Sequence, residues 1–104
     1  MADRHAVLEY ADLLRDFAVG KIPADRFQAE FLVRFKQERR PLGDAVFSLL
    51  DHLFADVDAF CSDSSLRLAL ERRRPGFYLG EAELRERTIK TLRALTDLQD
   101  SKPR

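Results

Sequence analysis

Apolar residues in this chain recur with a helical period almost from end to end. No stretch alternates convincingly with the period of two that a half-buried strand requires. Val7, Tyr10, Ala11, Leu14, Phe17 and Ala18 form one stripe, at the i, i+3, i+4, i+7 spacing of an amphipathic helix. Gly20 follows the last of them and can take the left-handed conformation that stops a helix. The first helix is therefore placed over residues 3–19.

The second helix starts at Pro23 or Ala24 and runs to Gln37, with Phe27, Phe31 and Phe35 four apart and Leu32 and Val33 widening the apolar face. Ile22 and Phe27 have the spacing of a hydrophobic staple across a helix start, and Pro23 suits a first turn, where its missing N–H costs nothing. Arg39-Arg40-Pro41 ends that helix, and Gly43-Asp44 supplies a turn with Asp44 as N-cap. A third helix follows over residues 44–60, carrying Val46, Leu49, Leu50, Leu53, Val57 and Phe60 on one face. Residues 61–80 read as irregular, with one short helix around residues 66–73 that Pro75-Gly76 breaks. Leu79 and Leu84 repeat the staple spacing around Gly80 as N-cap, with Glu83 in the capping-box position. The fourth helix continues through Leu92, Leu95 and Leu98, and residues 100–104 fray.

The reading is all-α: an antiparallel four-helix bundle with an irregular loop between helices three and four. At 104 residues the chain reads as one domain over residues 1–104. With 45% hydrophobic residues it builds a core without a metal or disulfide staple. The lone Cys61 fits a reducing compartment. No N-terminal apolar run has the form of a signal peptide, and the most apolar stretch, residues 45–50, is far short of a membrane span. The expected location is cytoplasmic, with no membrane partner.

Lys plus Arg and Asp plus Glu both number 18, and that zero balance argues against a general nucleic-acid binder. It conceals a segregation. Residues 43–65 hold Asp44, Asp51, Asp56, Asp58 and Asp63 and no Lys or Arg, whereas Arg26, Arg34, Lys36, Arg39 and Arg40 crowd residues 26–40. A seven-residue step returns to nearly the same side of a helix, so Asp44, Asp51 and Asp58 form one line opposite the apolar stripe, beside the short Ser48, Ala55 and Ala59. Phe47 and Phe54, also seven apart, edge it. Solvated faces usually mix signs and use long side chains, and no cation local in the sequence offsets these acids. A cationic partner complements such a strip.

The stretch Leu53-Phe54-Ala55-Asp56-Val57-Asp58-Ala59-Phe60-Cys61-Ser62-Asp63 resembles the motif at the end of helix three in the colicin D immunity-protein family, which includes immunity proteins of contact-dependent growth inhibition. Ile22-Pro23-Ala24-Asp25-Arg26-Phe27 and Gly80-Glu81-Ala82-Glu83-Leu84-Arg85 resemble that family's starts of helices two and four. Order and spacing agree over residues 7–98. Pro23 departs from the family's usual Ser or Thr, and Glu71-Arg72-Arg73-Arg74 makes an unusually basic loop.

The resemblance implies a helical bundle that binds a cognate toxin's C-terminal nuclease domain, a transfer-RNA nuclease in the colicin D case, with its acids in the site meant for the RNA backbone. Carried over by position, Asp58 and Asp63 match acidic places around Phe60, and Asp56 fits the commoner family form. Charge and proximity add Asp51, Glu81 and Glu83. Phe54, Phe77 and Tyr78 are candidate anchors, because a few buried groups carry most binding energy while rim charges steer. When free, the chain is expected to be a monomer or weak dimer.

Catalysis is not expected. His52 and Asp56 share a helix, but a metal site needs three or more converging ligands and the only other histidine is His5. Cys61 has no evident base, and the four glycines form no phosphate loop. No cofactor or metal is expected. Direct nucleic-acid binding is not expected either: Arg39 and Arg40 complement the negative end of helix two, and Arg72, Arg73 and Arg74 can end the short loop helix. The alternative function is a non-enzymatic helical adaptor or regulatory protein that binds another basic protein.

Overall fold

A computed structural model describes residues 3–60, 66, 68, 69, 72 and 79–100, with side chains as far as Leu98. Cys61, Asp63, Arg73, Arg74, Phe77 and Tyr78 lie outside the described residues. The four helices are α1 (Arg4–Ala18), α2 (Ala24–Gln37), α3 (Asp44–Asp58) and α4 (Glu81–Asp100). Leu66, Leu68 and Ala69 are also helical, within the short loop helix that the sequence predicts.

The helix ends show where local chemistry overrides periodicity. Asp3 is the N-cap of α1, its carboxylate accepting from the Ala6 N–H at 3.0 Å, and the chain leaves the helix through Gly20 at φ +83°. Pro23 is the N-cap of α2 rather than its first helical residue, and makes no side-chain cap bond. The staple of Ile22 and Phe27, both packed into the core, holds that start instead. Asp44 is not the N-cap of α3. That position falls to Gly43, whose φ of +85° is the left-handed conformation that favours glycine. At α4 the capping box is formed, with the Gly80 N–H donating to Glu83 Oε1 at 3.3 Å.

α3 ends at Asp58, two residues before the apolar pattern runs out. Gln28 of α2 donates its side-chain amide to the carbonyls of Val57 and Phe60, both at 3.0 Å. Phe60 then forms an isolated parallel bridge with Leu79, whose N–H donates to the Ala59 carbonyl at 3.1 Å. Phe60 still reaches the core, which is why the period persists past the helix. The same bend buries Ala59, expected instead beside the exposed acids.

Contacts define the directions. The C-terminal half of α1 meets the N-terminal half of α2 where Phe17 and Phe27 stack with centroids 4.5 Å apart and planes at 8°. Tyr10, two turns earlier in α1, meets the later Phe31 and Phe35 edge-on. Gln28 bonds the end of α3, while Phe35 meets Phe47 near its start. Asp56 near the end of α3 pairs with Arg87 near the start of α4. Arg85, also near that start, lies over the Phe17 ring at 4.9 Å and reaches the Phe17 carbonyl. Sequential neighbours are therefore antiparallel, and α4 closes back on α1: an up-down-up-down bundle of the predicted kind.

The core is aromatic along α2. Phe27, Phe31 and Phe35 form a ladder that α1 covers with Tyr10 and Phe17, and Phe35 carries it on to Phe47 and Phe54 of α3, each at 5.5 Å. Val33 does not widen this face. Two residues past Phe31, it is about 200° round the helix and is exposed. Thr88, fully buried, bonds the Leu84 carbonyl at 2.8 Å, so its burial leaves no unsatisfied hydroxyl.

Arg40 does more than complement the end of α2. It bonds Glu38 at 2.8 Å and crosses to Glu9 of α1 at 2.9 Å, while Glu38 also accepts from the backbone N–H groups of Arg39 and Arg40. The Asp3 N–H donates to the Pro41 carbonyl, so the α2–α3 connection is tied to α1 at two points. The Tyr10 hydroxyl is buried beside Glu38. Burial, and then the nearby charge of Glu38, push its pKa far up.

Two outcomes are expected. Phe31→Ala removes the middle ring of the ladder and should lower unfolding free energy by about 3–5 kcal/mol, measured by urea denaturation. Glu38 is held down to about 2 from an ordinary 4.5, chiefly by its bond with Arg40, against the opposing effect of burial. A carboxyl with a depressed folded pKa contributes fully above its unfolded pKa and loses that contribution as pH falls through the folded value. Wild-type stability should therefore drop by about 1–2 kcal/mol more than that of Glu38→Gln between pH 5 and pH 2.5.

Candidate functional site

The acids that the sequence groups together are divided by the helix that carries them. Asp56 and Asp58 are two residues apart and so about 200° apart round α3. Asp56 faces α4, half-buried, and pairs with Arg87 at 2.7 Å. The cation absent from the neighbouring sequence is thus supplied by another helix. Asp58 is exposed on the other flank, in line with the exposed Asp51 and Asp44, and these three have no ion pair among the described residues. Fourteen residues separate Asp44 from Asp58, so the line is about 21 Å long.

Position makes Asp58 unusual. It is the last residue of α3, where the helix dipole disfavours an anion, and the last turn of α3 holds no basic residue. Asp58 therefore works slightly against the stability of its own helix. Glu81 and Glu83 are the reverse case, being acids in the first turn of α4, where the dipole favours them. Glu83 caps Gly80 and Glu81 pairs with Arg85 at 3.3 Å, so both have structural employment while remaining exposed. The Phe60–Leu79 bridge brings the end of α3 and the start of α4 to one end of the bundle. Asp56, Asp58, Glu81 and Glu83 therefore share an end, and Asp51 lies two turns away along α3.

Phe54 is half-buried, its ring on Phe35 with Lys36 Nζ 6.0 Å from its centroid. It is a core residue with one accessible side. Phe47, not among the predicted anchors, is 52% exposed. Gln28, which ends α3 and thereby places Asp58, was invisible in the sequence, since a lone glutamine on a helix carries no pattern. Asp63 and Tyr78 lie outside the described residues.

His52 is exposed, with Nδ1 2.8 Å from the Ser48 carbonyl. Among the described residues no three of His, Cys, Asp and Glu converge to hold a metal ion, and no helix is long and apolar enough to cross a membrane. Of the cations that crowd residues 26–40, Arg40 is engaged by Glu38 and Glu9, and Arg26 pairs with Glu30 at 3.4 Å.

The different employment of the two aspartates is measurable. Asp56→Asn should cost about 0.5–1 kcal/mol through loss of the pair with Arg87, whereas Asp58→Asn should leave the melting temperature unchanged or slightly higher. Thermal melts of the two variants at low salt check this.

The family model described as bacterial self-protective colicin-like immunity covers residues 6–95. Neither a curated protein nor a solved structure matches the chain.

Proposed function

The chain belongs to the bacterial self-protective colicin-like immunity family, and from that premise we propose that it neutralises a cognate toxin by laying carboxylates from the end of α3 into the cationic groove of the toxin's nuclease domain, a transfer-RNA nuclease. Asp58 carries this reading. It is an exposed carboxylate at the unfavourable end of its helix, with no cation among the described residues to justify it internally. A charge that its own fold does not use is available to a partner.

A nuclease that grips a phosphate backbone must present Lys and Arg in a groove. Carboxylates on a packed helix meet such cations in charge-assisted bonds, bidentate where the partner is arginine. Opposite potentials also raise the association rate, which matters when an incoming toxin has to be intercepted. Asp51 extends the acidic line, Asp63 follows Asp58 in the motif, and Glu81 and Glu83 add negative potential at the same end. Asp56 contributes through position more than through contact, since Arg87 already holds it. Phe54 and Tyr78 are the proposed apolar contacts. Inhibition on this account is stoichiometric, in the cytoplasm, and without chemistry by the chain itself.

Co-expression with the toxin domain encoded immediately upstream should restore growth, and the purified pair should form a one-to-one complex that no longer cleaves transfer RNA. Asp58→Lys with Asp63→Lys should abolish protection while leaving the helical circular dichroism intact. Full protection by that double variant would sink the acidic-mimic mechanism.

A further inference from the structure

The residues along the outer flank of α3 repeat: Asp44, Phe47, Asp51, Phe54, Asp58. Each phenylalanine has an aspartate three residues before it and another four residues after it. Side chains at those spacings are neighbours on a helix, with Cβ atoms about 5–6 Å apart. The flank is therefore two copies of one unit, an aromatic ring between two carboxylates. That combination suits a guanidinium, which stacks on a ring face while its N–H groups bond a carboxylate.

The two units differ in occupancy. At Phe54 the protein's own Lys36 stands over the ring, with Nζ 6.0 Å from the centroid. At Phe47 the ring is half exposed, its inner side resting on Phe35. A cavity of about 420 Å³ adjoins it, lined among others by Phe35, Arg39, Arg40, Asp44 and Phe47. Arg40 is already neutralised by Glu38 and Glu9; of the unit's two carboxylates, Asp44 lines the cavity beside Arg39 and Asp51 lies one turn beyond Phe47 along α3. The wall is firm, because Phe47 leans on the aromatic ladder and residues 38–43 are tied to α1.

We propose that the Phe47 unit, with Asp44 and Asp51, is a receptor for a single arginine side chain of the partner protein. The Phe54 unit is its counterpart, whose ring face the protein's own Lys36 already meets. Read with the proposed function, on which the identity of the partner rests, this places an anchoring arginine of the toxin about three helix turns from Asp58 along the same flank. Phe47 supplies the ring face, and Asp44 and Asp51 supply the fork for the guanidinium. The desolvated centre of the contact then lies at Phe47, with the line of acids steering towards it.

The test uses Nα-acetyl-arginine amide as probe and the uncharged, similarly shaped Nα-acetyl-citrulline amide as control, titrated into the full chain and followed by NMR. Arginine should perturb the Phe47 ring and the Asp44 and Asp51 signals at concentrations about fivefold lower than citrulline needs. Phe47→Leu, which keeps the apolar bulk but loses the ring face, should abolish that preference. Lys36→Met should open the second unit and add matching perturbations at Phe54. Equal responses to the two probes, or an undiminished preference in Phe47→Leu, would overturn the assignment. The toxin separates the two proposals. If wild type and Phe47→Leu protect and bind equally well, the arginine receptor is wrong and the immunity mechanism stands. If no protection is seen but the probe seats on Phe47, the receptor stands and the immunity mechanism falls.

Discussion

The bundle depends on a ladder of aromatic rings that runs along α2. Phe27, Phe31 and Phe35 lie four residues apart, and a four-residue step drifts only about 40° round a helix, so three large rings stay on one side. α1 closes over them with Phe17 stacked on Phe27 and Tyr10 edge-on to Phe31 and Phe35. α3 docks against the far end through Phe47 and Phe54. Each ring buries more apolar area than an aliphatic residue and adds a preferred geometry to the contact, so the ladder sets the spacing and tilt of three helices at once. α4 then closes the bundle from α1 to α3, held over Phe17 by Arg85 and against Asp56 by Arg87.

The polar devices at the helix ends convert that packing into positions. Gln28 satisfies two carbonyls at the end of α3, allowing the chain to turn immediately into the Phe60–Leu79 bridge. Asp58 therefore becomes a terminal residue rather than one inside a longer helix. The Glu9–Arg40–Glu38 cluster plays the corresponding part at the other end, tying the α2–α3 connection to α1. Between these fixed ends α3 presents one flank to its neighbour α2 and another to α4. Its acids are sorted accordingly, Asp56 inward to a cation and Asp44, Asp51 and Asp58 outward.

That sorting bears directly on function. Acids with a structural partner are weak evidence for a binding site, because their retention is explained by the fold. Glu81, Glu83 and Asp56 each have such a partner. Asp51 and Asp58 have none among the described residues, and Asp58 is placed against its own helix dipole. On the proposed mechanism a cationic partner has to be met quickly and held firmly, and these tasks fall to different groups. Exposed charges act at long range before contact, while a ring such as Phe47 contributes only after water has been displaced.

The amino-acid sequence by itself determined the fold class, the number of main helices and their antiparallel order, the apolar start of α2 at Ile22 and Phe27, and the capping bond between Gly80 and Glu83. All of these rest on interactions between residues a few positions apart, whose geometry is set by the helix itself. The family motif was legible for the same reason, being a contiguous run at the end of α3. Only the tertiary structure decided that Gly43 rather than Asp44 caps α3, that Gln28 ends it at Asp58, and that Arg87 claims Asp56. Each depends on a partner far along the chain or on a backbone angle, and helical periodicity records neither. Whether a carboxylate on an amphipathic helix is spent on the fold or left for a partner is decided by what packs beside it.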